Sequence, residues 1–139
     1  MVDCLAEVAS LDWTSLPNRH RILLVEGDHD SLASLFFILT QAGYSVLTAG
    51  DGAQAVDLLS HGIHPRLIVL DLILPKVDGR AVLKHLQQDR QLREIPVIVT
   101  TAVTSDQPIT GADRILEKPL DPALLLGEIS RLLGPSASS

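Results

Sequence analysis

Leu67-Ile-Val-Leu-Asp71-Leu-Ile-Leu-Pro75-Lys-Val-Asp78-Gly79 is the stretch on which the fold turns. A short continuous apolar run bounded by turn residues reads as a strand buried on both faces, and such strands belong to parallel sheets. Asp71 follows that run directly, so a carboxylate stands at the strand's carboxyl end. Outward from it, similar runs recur at Ile22–Val25, Ser45–Thr48, Val97–Thr100 and Arg114–Leu116. Segments of helical period separate them. Ser31–Ala42 places Leu32, Leu35, Phe36 and Leu39 on one side, Asp51 caps a helix reaching Leu59, Gly79–Gln88 offers Val82, Leu83 and Leu86, and Asp121-Pro122 opens a last helix with Leu125, Ile129 and Leu132 inward.

Strands alternating with helices predict an α/β fold: a doubly wound, five-stranded parallel sheet with right-handed crossovers. The 139 residues suffice for one core, and the expected division is an N-terminal arm over 1–19, one domain over 20–134 and a disordered tail over 135–139. The arm carries Val2, Leu5, Val8 and Leu11 at helical spacing ahead of Trp13, which predicts a short amphipathic helix. The net charge of −6, with Lys and Arg scattered, offers no basic stripe, so no nucleic-acid surface is expected. No apolar stretch is long enough to cross a bilayer and Cys4 is the only cysteine, so neither a membrane span nor an internal disulfide is expected; a cytoplasmic setting is. The five histidines share no ligand spacing and read as surface residues.

In doubly wound sheets ligand chemistry gathers at the carboxyl ends of strands. There the sequence sets Glu26-Gly27-Asp28, Asp71, Thr100-Thr101 and Glu117-Lys118-Pro119. Two carboxylates about 5 Å apart repel by roughly 3 kcal/mol at an effective dielectric of about 20, so the cluster calls for a divalent cation or the Lys118 ammonium. Mg²⁺ favours such oxygen ligands, and a carboxylate beside it is a nucleophile suited to a phosphoryl group. Asp71 is the candidate nucleophile, with Lys118 and the Thr101 hydroxyl as charge-stabilising donors.

Four segments together, Ile22-Leu-Leu-Val-Glu-Gly-Asp28, Val69–Gly79, Pro96-Val-Ile-Val-Thr-Thr-Ala102 and Gly111-Ala-Asp-Arg-Ile-Leu-Glu-Lys-Pro119, resemble the receiver domain of bacterial response regulators. The resemblance covers about residues 20 to 134. It implies the flavodoxin-like (CheY-like) fold with strand order 2-1-3-4-5. It also implies Asp71 as phosphoacceptor, Lys118 and Thr101 as phosphate-sensing groups, and Glu26, Asp71 and the Ile73 backbone carbonyl as Mg²⁺ ligands. Pro119 would follow a cis peptide bond. The implied partners are a sensor histidine kinase or phosphotransfer protein and an output protein. With no output domain following, a single-domain regulator of two-component phosphorelay signalling is expected. It would be no enzyme beyond its own phosphotransfer and dephosphorylation.

The sequence also departs from that pattern. Gly27 stands where the family has a directly metal-binding acid, so Mg²⁺ binding is expected to be weak or lost unless Asp28 lends an oxygen. That leaves a pseudo-receiver, a binding module acting without phosphorylation, as the alternative. Ile115 replaces the aromatic that rotates inward on activation. Only Val103–Thr110 separate Ala102 from Gly111, and Pro108 lies among them, so the fourth helix is expected to be shortened or absent. The strand surface thus uncovered would be filled by the N-terminal arm, a partner or a second copy as a homodimer. Ile73 and Val103 would flank the site with apolar bulk and give a long-lived phosphoryl state.

Overall fold

The computed structural model describes residues 21–102 and 109–133. Five strands, β1 (Arg21–Val25), β2 (Ser45–Ala49), β3 (Leu67–Asp71), β4 (Val97–Thr101) and β5 (Arg114–Glu117), form one parallel sheet in the order β2-β1-β3-β4-β5. Among the described residues the helices are α1 (His29–Gln41), α2 (Gly52–Ser60), α3 (Gly79–Gln88) and α4 (Pro122–Leu133). The fold class and strand order expected from the sequence are those observed. The expectations for the arm, the tail and the shortened helix fall wholly or largely on 1–20, 134–139 and 103–108, outside the described residues; Ile109–Asp113 contain no helix.

Alternation along the strands divides the core into two layers. Leu23, Val25, Ile68, Leu70, Val97 and Val99 face α2 and α3, where Ala55, Leu58, Val82 and Leu86 meet them. Ile22, Leu24, Leu67, Val69, Ile98 and Leu116 face α1 and α4, against Leu35, Leu39, Leu125 and Ile129. Burial on both faces is why β1, β3 and β4 read as continuous apolar runs.

Local signals fix the turns. The Asp28 carboxylate accepts from Ser31 N at 2.9 Å and so starts α1 two residues earlier than the apolar period suggested. Asp51 accepts from Gln54 N at 2.8 Å while the Gln54 amide oxygen accepts from Gly50 N at 2.6 Å, a reciprocal cap on α2. Asp78 occupies the N-cap position of α3 but makes no side-chain capping bond. Two glycines permit close approach of the turns: a Cβ at Gly52 would lie 1.8 Å from Val77 O, and one at Gly79 would lie 2.5 Å from Leu72 O.

Two side chains depart from the expected placement. Phe36 is 42% exposed, because it lies at the flank of the Leu32, Leu35, Leu39 stripe rather than within it. His85, expected on the surface, is half-buried beside the inward residues of α3, and its Nε2 is shielded from solvent without a hydrogen-bond partner.

Candidate phosphoacceptor site

The sheet brings three charged side chains to one rim. Glu26 follows β1, Asp71 ends β3, and Lys118 follows β5. Lys118 Nζ donates to Glu26 Oε2 at 3.0 Å, to Glu26 Oε1 at 3.3 Å and to Asp71 Oδ2 at 3.1 Å. The remaining Asp71 oxygen accepts from Ile73 N at 3.2 Å, and Glu26 Oε1 also accepts from Asp28 N at 3.2 Å. All four carboxylate oxygens therefore have a donor.

The side chains of Glu26 and Asp71 are 1% and 9% exposed and that of Lys118 is 22% exposed. Burial, followed by the Asp71 carboxylate, pushes the Glu26 carboxyl above the ordinary value of 4.5. For Lys118 burial alone acts downward, but the hydrogen bonds and charges of Glu26 and Asp71 outweigh it and hold the ammonium above 10.5. The triad thus carries a net charge of one minus when both acids are ionised.

The other sequence-selected residues are distributed around this rim. Thr100 pairs with Asp71 across the sheet and, continuing from Ile98, lies on the α1 and α4 side. Thr101 is the next and last residue of β4; it is buried, and its carbonyl accepts from Lys118 N at 2.8 Å. From the sequence, alternation is expected to turn Thr101 rather than Thr100 to the site; the sheet sets Thr100 on the same side as Asp71, and the phosphate-sensing role of Thr101 rests on the resemblance. Asp28 does not join the triad: its carboxylate caps α1, and the Ser31 amide holds its carboxyl below 3.8. Gly27 lies between Glu26 and this cap. Ile73 is 60% exposed beside Asp71, and Ile115 is 48% exposed on β5. The Lys118–Pro119 peptide is cis.

The cleft next to Lys118 has no counterpart among the sequence signals. A cavity of about 530 Å³ opens between α1 and the β5–α4 turn, lined by Glu26, Ser34, Leu35, Ile38, Lys118 and Leu120 among others. It is formed by residues distant in sequence, so no local pattern announces it. Among the described residues, no group of three or more His, Cys, Asp or Glu side chains is placed to hold a metal ion, and no helix is long and apolar enough to cross a membrane.

The family model of the response regulator receiver domain matches residues 22–130. The DNA-binding dual master transcriptional regulator RpaA of Synechocystis is 39% identical over 119 residues, which cover 81% of this chain and 48% of RpaA. The chain thus spans about half the length of the curated relatives it matches. A CheY-like receiver domain protein from Methanospirillum hungatei superposes with a TM-score of 0.76 at 27% identity, covering 85% of this chain and 96% of that one. The receiver domain of a sensor histidine kinase from Pseudomonas aeruginosa, solved with magnesium coordinated in its active-site cleft, gives 0.72 at 26% identity over 82% and 98% of the two chains. From the acidic rim, the sheet order and the match over residues 22–130, the chain belongs to the response regulator receiver domain family.

Proposed function

We propose that this receiver domain accepts a phosphoryl group on Asp71 from a phosphohistidine of a kinase or phosphotransfer partner and passes the change on through protein contacts. The observation that carries the reading is the Lys118 ammonium 3.1 Å from the Asp71 carboxylate, at a strand end between two apolar layers. In the transfer an Asp71 oxygen attacks phosphorus and the P–N bond to the imidazole breaks. The bonding pair stays on the nitrogen, and an acyl phosphate forms. A cation already in place stabilises charge on the phosphoryl oxygens without reorganisation. By resemblance, the Thr101 hydroxyl meets the same oxygens.

This reading gives the chain no separate substrate; its chemistry is its own phosphotransfer and dephosphorylation, and a kinase donor makes the cytoplasm its compartment. The DNA binding in RpaA's name belongs to that relative. Here the output partner is a protein surface or an attached output domain.

Magnesium is held by one solved neighbour, but the residues here do not complete such a site. Position 27 has no side chain, Asp28 caps α1, and the oxygens of Glu26 and Asp71 already accept from Lys118 and backbone amides. The same observation favours a second reading, a pseudo-receiver that binds partners without phosphorylation. Incubation with a small phosphodonor followed by mass spectrometry separates the two. One added phosphoryl group on the native chain and none on Asp71→Asn is the expected result. No gain, or equal gain in both, rejects phosphoryl acceptance on Asp71.

A further inference from the structure

We propose that the Lys118 ammonium, rather than a divalent cation, is the resident counter-charge of Glu26 and Asp71, and that packing of Pro75 against Gly27 keeps the site in this form. The inference concerns the carboxylates of the proposed phosphoryl acceptance but does not require that reaction.

Mg²⁺ demands near-octahedral oxygen coordination and gives up water reluctantly, so it competes poorly for oxygens that already accept hydrogen bonds. Here each oxygen of Glu26 and Asp71 has a donor at 3.0 to 3.3 Å. A cation entering between them would have to displace the ammonium from a largely buried position. The two nearby acids and one ammonium sum to a single negative charge, a weak attraction for a divalent ion.

The place from which a third carboxylate would come is closed as well. An ideal Cβ on Gly27 would lie 2.8 Å from Pro75 Cδ and 3.7 Å from Leu74 Cδ2. The first of these is closer than side chains pack. Pro75 Cδ belongs to a ring tied to its own backbone nitrogen, so it yields less readily than the tip of a flexible side chain. Asp28, the next acid along, is occupied as the cap of α1.

The test is Mn²⁺ broadening of amide NMR signals in the full chain, with Mg²⁺ as competitor. The native chain is expected to show no saturable, Mg²⁺-reversible broadening at residues 26–28 and 71–73; such broadening overturns the inference. Lys118→Met is expected to tighten Mn²⁺ binding at the site by about tenfold or more, because the competing ammonium is gone. Unchanged binding in that variant removes Lys118 from the role. Gly27→Asp/Pro75→Ala is expected to bind at least about tenfold more tightly than Gly27→Asp alone. Equal binding by the two denies Pro75 its part. Phosphodonor labelling in the presence of a chelator reports separately on the proposed function. A cation site with Asp71 labelled sinks only this inference, and no cation site with no label under any condition sinks only the function.

Discussion

Replacing Lys118 by Met removes a cation in contact with two buried carboxylates. At separations of 3.0 and 3.1 Å each attraction is roughly 5 kcal/mol at an effective dielectric of about 20, before desolvation is subtracted. Removing one partner of a buried pair costs about 3–5 kcal/mol, because the other is left uncompensated. Lys118 is 22% exposed, and Glu26 can relieve the imbalance by taking a proton, so the expected loss is about 2–3 kcal/mol near neutral pH.

The loss carries a pH signature. Glu26 is raised above 4.5 in the folded chain, so the fold binds its proton more tightly than the unfolded chain does. That contribution favours the fold below 4.5 and is lost as pH rises through the folded value. Without Lys118 the folded value moves further up, and the variant's deficit shrinks as pH falls towards 4.5. The raised Lys118 adds the opposite limb: its contribution is full below 10.5 and is lost above it, in the native chain alone. Urea unfolding of both chains at about pH 7 and about pH 5 measures the effect. A loss below about 0.5 kcal/mol at neutral pH, or a deficit that does not narrow in acid, refutes the reasoning.

Three further outcomes are expected. Gly79→Ala sets a methyl group against the Leu72 and Asp71 carbonyls at 2.5 and 2.6 Å, and should destabilise the domain by about 1–3 kcal/mol in thermal or urea unfolding. Asp51→Ala breaks the reciprocal cap of α2 and should cost about 1–2 kcal/mol, with hydrogen exchange accelerating first at the start of that helix. If Asp71 is phosphorylated, Ile73→Asn should shorten the phosphoryl lifetime, measured by loss of labelled phosphate, since a polar group would replace the apolar bulk beside the carboxylate; a native half-life of seconds speaks against this shielding.

Much of the fold was legible because both faces of the sheet are covered. Leu67–Leu70 can be read without knowing its neighbours, since every residue in it is apolar and all are buried. Pro122 marks the start of α4 for an equally local reason, the fixed φ of proline. α1 begins before its first apolar residue because the capping geometry of Asp28 sets its start. Glu26, Asp71 and Lys118 could be named from strand ends, but their separations depend on β1, β3 and β5 lying in register, which no single segment encodes. The occupation of Asp28 by the helix cap, the contact awaiting a side chain at Gly27, and the burial of His85 are properties of packing between segments. They had no sequence signal beyond the residues themselves.

β5 ends the sheet, and among the described residues no further strand lies beside its outer row of peptide groups. A parallel sheet left open in this way can template aggregation. Here the strand is only four residues long, Arg114 and Glu117 are exposed at its two ends, and Arg114 is tied at 2.8 Å to Glu128 of α4. An approaching foreign chain would find few peptide groups in line and a charge at either limit, so the border of the sheet discourages recruitment of another copy by backbone pairing.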